Sequence, residues 1–179
     1  MEHHKQDTDT QVFFYEREFY VLSNFSAFQI EWEGRIFQTA EHLYHWLKFE
    51  RNEPLPVDIR ATVTKLRKNI YFARSAHSAF KIAEENAAFY RPDWIDVRVD
   101  LMREILRAKV GQHEYVRRKL IETGDRELVE DSWRDGWWGW GADKKGQNML
   151  GKLWMEIRED LQSSILQSKQ QEDVWAVTE

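Results

Sequence analysis

The sequence predicts a single, helix-dominated α+β domain with a small sheet near its N-terminal end. Three observations carry this: short aromatic and β-branched runs near the start, apolar residues at helical spacing from Thr39 to Glu122, and another amphipathic run from Leu150. The 179 residues show no composition shift and no repeat at a solenoid period, so one compact domain is expected over 12–162. Residues 1–11 read as a disordered lead and 163–179 as a polar tail.

Val12 to Tyr15 and Ile30 to Trp32 read as strands, and Glu33-Gly34 before Arg35-Ile36-Phe37 reads as the turn of a hairpin. Together they are expected to form one small sheet. Thr39 suits the N-cap of a first helix, with Glu41 at the positive end of its dipole; Pro54 and Pro56 stop it near Asn52. Four further helices are expected over 58–75, 76–90, 93–110 and 113–122. The third of these carries Trp94, Val97, Leu101, Ile105 and Ala108 on one stripe. Leu128 and Val129 form a short extended piece. Asn148 then reads as N-cap of a last helix presenting Leu150, Leu153, Trp154, Ile157, Leu161 and Ile165, fraying from Ser163, with Trp175 available to dock back.

Composition narrows the chemistry. The absence of cysteine removes disulfides, thiolate zinc sites and cysteine nucleophiles, and fits a reducing compartment. A polar, acidic start and the lack of a long apolar run lead to a soluble, cytoplasmic protein with no membrane partner. A net charge of -5 disfavours diffuse binding to nucleic acid, although 65–68 and 117–119 are local basic clusters, either patches for a ligand or solvated helix faces. No Gly-x-Ser-x-Gly elbow is present, and His42 and His45 lack the spacing of a helical zinc pair, so neither serine catalysis nor a metal is expected.

Two segments hold residue types suited to a site. Glu41, Tyr44, His45 and Lys48 recur at i, i+3, i+4 and i+7, which puts an acid, a phenol, an imidazole and an amine on one helix face. Leu43, Trp46, Leu47 and Phe49 on the remaining arc require protein cover, so this is either a buried, charged wall or a polar face in water. The second segment, 135–151, sets Trp137, Trp138 and Trp140 among Gly136, Gly139, Gly141 and Gly146 ahead of the last helix. Such a loop can let main chain approach a flat ligand and deliver an anion to a helix N-terminus, or it is a surface turn with aromatic anchors.

Taken in order, these fragments resemble the NADAR family, also called YbiA-like. The resemblance runs from Phe13-Phe14-Tyr15 and Leu22-Ser23-Asn24-Phe25 through Gly34, Thr39-Ala40-Glu41-His42, Lys48-Phe49, Trp94 and Arg107-Ala108-Lys109. It ends with Leu128-Val129-Glu130, Asp135, Trp138-Gly139, Gly141, Gly146, Asn148, Leu150-Gly151, Met155 and Arg158. Two departures stand out. His45-Trp46-Leu47 replaces the family's Gln-Ala-Gln, and the aromatic loop is enriched in tryptophan, which suggests an altered pocket rim and substrate.

The resemblance implies an N-glycosidase that cleaves a ribose C1–N bond, in phosphorylated ribosylamine intermediates of riboflavin synthesis or in ADP-ribose attached to guanine of nucleic acid. It places Glu41, Lys48 and Asp135 in catalytic positions. Asn24 and Phe25 of the Ser-Asn-Phe element are expected to bind substrate, with Tyr44, His45, Trp94, Trp138, Gly139 and Asn148. Positive charge developing on C1 needs a carboxylate, a role open to Glu41 and Asp135. Lys48 offers a second route, as a neutral amine forming a Schiff base; His45, if charged, would lower its pKa. Trp94 and Trp138 would stack the base, and loop amides would hold ribose or phosphate. No cofactor is expected. The other reading is a module that binds ADP-ribose or NAD without cleaving it.

Overall fold

Strand pairing separates the two ends of the expected sheet. In the computed structural model, which describes residues 6–15, 17–51 and 54–176 with side chains up to 171, Gln11–Phe13 (β1) pairs in parallel with Glu127–Val129 (β4). Ile30–Trp32 (β2) and Arg35–Phe37 (β3) form an antiparallel hairpin of their own. A parallel pair needs a long crossover, so no local pattern could announce it. Val12, Phe13, Leu128 and Val129 are all buried, and that shared burial sets the register Val12↔Leu128.

The chain divides into two units, Ser23–Glu114 and the remainder. In the Ser23–Glu114 unit the hairpin turns through Glu33 and Gly34, both at positive φ (49° and 72°), the two-residue geometry that suits the twist of paired strands. Ile30 and Phe37 pair across it and are fully buried. Thr39 then caps Ala40–Leu47 (α1), its side chain accepting from the His42 amide. Every residue of α1 is buried, because Val57–Tyr71 (α2), Ala76–Glu84 (α3) and Trp94–Gln112 (α4) all pack on it. Burying Leu43 and Leu47 in this way stabilises the unit by about 2 kcal/mol each.

α1 ends at Leu47, short of the expected Asn52. Lys48 is its C-cap, and the Lys48 carbonyl accepts from the Arg91 amide, a partner 43 residues on that replaces further helix. α2 also stops early, at Tyr71, and the reason was local: Ser75 accepts from the Ser78 amide and caps α3. The expected helix over 76–90 breaks after Glu84 into a short 3-10 turn at Ala87–Phe89. α4 buries Trp94 and Ile105 as expected, but the stripe shifts to include Met102, Leu106 and Lys109.

In the other unit, Arg17–Leu22 is a 3-10 helix absent from the sequence reading, and Glu114–Glu122 (α5) matches it. Met149–Ala176 (α6) packs on β4. Its fully buried Trp154 donates from Nε1 to the Leu22 carbonyl at 2.8 Å. Arg158 donates to Thr123 Oγ1 at 2.7 Å and to the Arg126 carbonyl at 2.9 Å. The polar tail is helical through Ala176, beyond the expected fraying point at Ser163. With no proline or glycine after Gly151, Ser164 and Ser168 bond back to the carbonyls four residues earlier. Trp175 lies outside the described side chains.

Candidate functional site

The α1 wall is buried and charged. Glu41, His45 and Lys48 are 7%, 2% and 5% exposed, too little for a solvated helix face. Oε1 of Glu41 lies 2.7 Å from Nε2 of His45, one turn along the helix. His45 Nδ1 is buried without a hydrogen-bond partner, a costly arrangement in a finished core. The His45 ring stands edge-on to Tyr44 and to Phe80, at 5.4 and 5.6 Å between centroids.

Lys48 points into a second cluster. Its Nζ donates to Glu84 Oε1 at 2.7 Å and to the Tyr90 hydroxyl at 3.3 Å, and Tyr90 donates to the same Glu84 oxygen at 2.8 Å. Three rings surround the ammonium, Tyr90 at 4.7 Å, Tyr44 at 5.3 Å and Trp94 at 5.6 Å from their centroids. Burial pushes the Glu84 carboxyl up, yet the hydrogen bond and charge of Lys48 together with the Tyr90 hydroxyl outweigh it, and Glu84 sits below its ordinary value. Burial, with Glu84 beside it, pushes the Tyr90 hydroxyl well up, so that it remains a donor. Trp94 is buried against Tyr44 at 5.0 Å and forms part of this box rather than an open stacking platform. His45 is engaged by Glu41 instead of standing against Lys48 as its cationic neighbour.

His42 is a capping residue. Thr39 Oγ1 lies 2.8 Å from Nδ1 and the Ala73 carbonyl 3.2 Å from Nε2. Since Thr39 already accepts from the His42 amide, its hydroxyl donates to Nδ1, and the neutral ring donates from Nε2. Burial pushes its pKa down.

The Ser-Asn-Phe turn is tied to the same helix, with the Asn24 carbonyl accepting from the Glu41 amide at 3.1 Å. Fully buried Lys109, which sequence reasoning missed as an anchor, donates to the Ser23 carbonyl and to Ser26 Oγ at 2.8 Å each. Asn24 donates to Met102 Sδ, while its Oδ1 is buried without a partner; Phe25 is 40% exposed.

The tryptophan loop of the other unit contradicts an open anion site. The amides of Met149 and Leu150, at the start of α6, donate to the carbonyls of Trp137 and Trp138 at 3.0 Å each. Those of Trp140, Gly141, Gly146, Gln147 and Asn148 donate to Glu130, Ser132, Trp140, Gly136 and Gly139. These seven amides, the two at the start of α6 among them, are therefore engaged by main-chain carbonyls. Asn148 is similarly committed: Oδ1 accepts from the Glu130 amide at 3.0 Å and Nδ2 donates to the Leu128 carbonyl at 2.8 Å. Its side chain ties the loop to β4 rather than capping α6 or holding ribose. Gly139 is buried, and a Cβ there would stand 2.7 Å from the Glu130 carbonyl oxygen, so close packing explains this glycine without a ligand. Asp135 Oδ1 accepts from the Trp137 and Trp138 amides at 2.8 Å each, and Trp138 is half-buried.

Among the described residues, no group of three or more potential ligands could hold a metal, and no helix is long and apolar enough to cross a membrane. The NADAR domain model matches residues 13–162, across both units. The chain belongs to the NADAR family. This NADAR chain is 32% identical to the N-glycosidase YbiA of Escherichia coli over 90% of its own length and 93% of YbiA. It is 34% identical to an N-glycosidase of Nostoc punctiforme, over 79% of this chain and 85% of that one. A riboflavin biosynthesis protein of Vibrio vulnificus is 37% identical over 79% of this chain, which spans 35% of that longer protein. The NMR structure of E. coli YbiA shares the fold with a TM-score of 0.74, covering 91% of each chain at 32% identity. The helix-dominated α+β architecture is thus that of the family.

Proposed function

We propose that this NADAR protein is an N-glycosidase that hydrolyses the ribose C1–N bond of a phosphorylated ribosylamine, with Glu41 and Lys48 as its reacting groups. Membership of the family and the N-glycosidases matched over most of their length support the reaction class. A riboflavin biosynthesis relative supports the ribosylamine as substrate. The observation that carries the residue assignment is the α1 wall, which buries an acid held by an imidazole and, two turns on, an amine held by a carboxylate.

In this reading Glu41 stabilises the positive charge that builds on C1, and its contact with His45 fixes the carboxylate so that no reorganisation is needed during reaction. Lys48 forms a bond to C1 as the base departs; the C1–O4′ bond of this ribosyl-lysine then breaks as an Nζ proton passes to O4′, giving a ring-opened Schiff base that water hydrolyses. Asn24 and Phe25 would contact the substrate, with Tyr44 and Trp94 walling the Lys48 ammonium.

Mixing the protein separately with a pyrimidine ribosylamine phosphate and with ADP-ribosylated guanine DNA tests the reading by product analysis. Free ribose 5-phosphate from the first is the expected result. Cleavage of only the DNA adduct would move the substrate to ADP-ribose, and binding with both substrates left intact would make the chain a recognition module.

A further inference from the structure

We propose that Glu84 and Tyr90 are positioning residues for Lys48, and that Glu84 takes the Lys48 proton when the amine becomes a nucleophile. The inference rests on the reading of Lys48 as the group that attacks C1. A protonated amine has no lone pair, so a buried lysine that forms a Schiff base needs a proton acceptor in contact with it. Glu84 Oε1 is in contact at 2.7 Å, and the Glu84 side chain is 46% exposed, which gives the proton a way to water that the 7%-exposed lysine lacks.

The groups facing Lys48 come from four directions. Tyr44 belongs to α1, Glu84 to α3, Tyr90 to the segment before α4 and Trp94 to α4 itself. His45 of α1 lies within electrostatic reach of Glu84. Arg51 fixes the Tyr90 segment by donating to the carbonyls of Phe89 and Tyr90 at 3.0 and 2.7 Å. Tyr90 closes the triangle by donating to the Glu84 oxygen that Lys48 uses.

At rest the pair is ammonium and carboxylate. Positive charge building on C1 then raises the cost of an adjacent cation, and the proton moves from Nζ to Glu84. The lone pair of the neutral amine forms the N–C1 bond while the bond from C1 to the base breaks, its electron pair leaving with the base nitrogen. Glu84 releases its proton to water, and the departing nitrogen takes one from water, so charge and protons balance.

Glu84→Gln keeps a hydrogen bond to Lys48 and removes the base. Turnover of the ribosylamine phosphate at pH 7 should fall about 100-fold with KM nearly unchanged. The deficit should shrink by about tenfold per pH unit as water takes over deprotonation of the amine. Borohydride trapping of Lys48 should fall and recover in parallel, and Glu84→Asp should restore part of both. Tyr90→Phe, which preserves the ring, should shift trapping in the same direction by about fivefold, a smaller effect because only the hydrogen bond that orients Glu84 is lost. Unchanged pH profiles in both Glu84→Gln and Tyr90→Phe, or losses equal at every pH, would overturn the proposal. If the unmodified protein cleaves substrate without any borohydride adduct, the nucleophilic reading of Lys48 fails first, which separates the two failures.

Discussion

The α1 wall and the tryptophan loop look alike in the sequence, each combining aromatic residues with polar groups that could meet a ligand, but the structure uses them in opposite ways. In the loop, the main-chain donors and the Asn148 amide are engaged by neighbouring carbonyls and by β4. In the wall, charges are buried in pairs, and His45 Nδ1 and Asn24 Oδ1 have no hydrogen-bond partners. Backbone amides engaged by carbonyls stabilise a fold, whereas buried, paired charges on one helix face are more often found at a site.

The contrast is sharpest where a substitution should destroy one function and spare the other. A Cβ on Gly151 would stand 2.0 Å from the Leu128 carbonyl oxygen, a clash that neither α6 nor β4 can relieve without moving. Gly151→Ala should therefore destabilise the protein by about 4 kcal/mol or more, read as a collapse in melting temperature. A variant that melts like the parent would show that the loop is not clamped to β4.

Glu41→Gln should lower turnover about 100- to 1,000-fold with little change in melting temperature, because the shape and one hydrogen bond to His45 survive and the charge does not. Near-parental turnover would make Glu41 a core residue and dissolve the contrast from the other side.

Asn148→Ala should cost about 2 kcal/mol in denaturant unfolding, since it leaves the Glu130 amide and the Leu128 carbonyl without their partner. The remaining folded protein should turn over normally. A loss of substrate affinity at unchanged stability would return Asn148 to the ligand.

The smallest effect concerns pH. Burial lowers the His42 pKa, so on acidification the unfolded chain takes up a proton that the folded chain resists. Its contribution is complete above the ordinary histidine value and is lost as pH falls through that value toward the folded one. The drop in melting temperature between pH 7.5 and 5.5 should be smaller in His42→Asn than in the parent. Equal drops would mean that the neutral cap between Thr39 and Ala73 is not the group titrating.

Sequence alone determined the hairpin, the order of the helices, the Thr39 cap and the placing of Glu41, Tyr44, His45 and Lys48 on one face, because turn chemistry and helical period act over a few residues. Three-dimensional packing decided the rest. The β1 to β4 pairing joins positions 116 apart, Lys48 meets Glu84 across 36 residues, and no local spacing encodes either. The same limit explains why the sequence leaves the glycine loop open as an anion site or a turn with aromatic anchors: sequence shows which amides a helix start leaves over, but only the folded chain shows that the carbonyls of Trp137 and Trp138 reach them first.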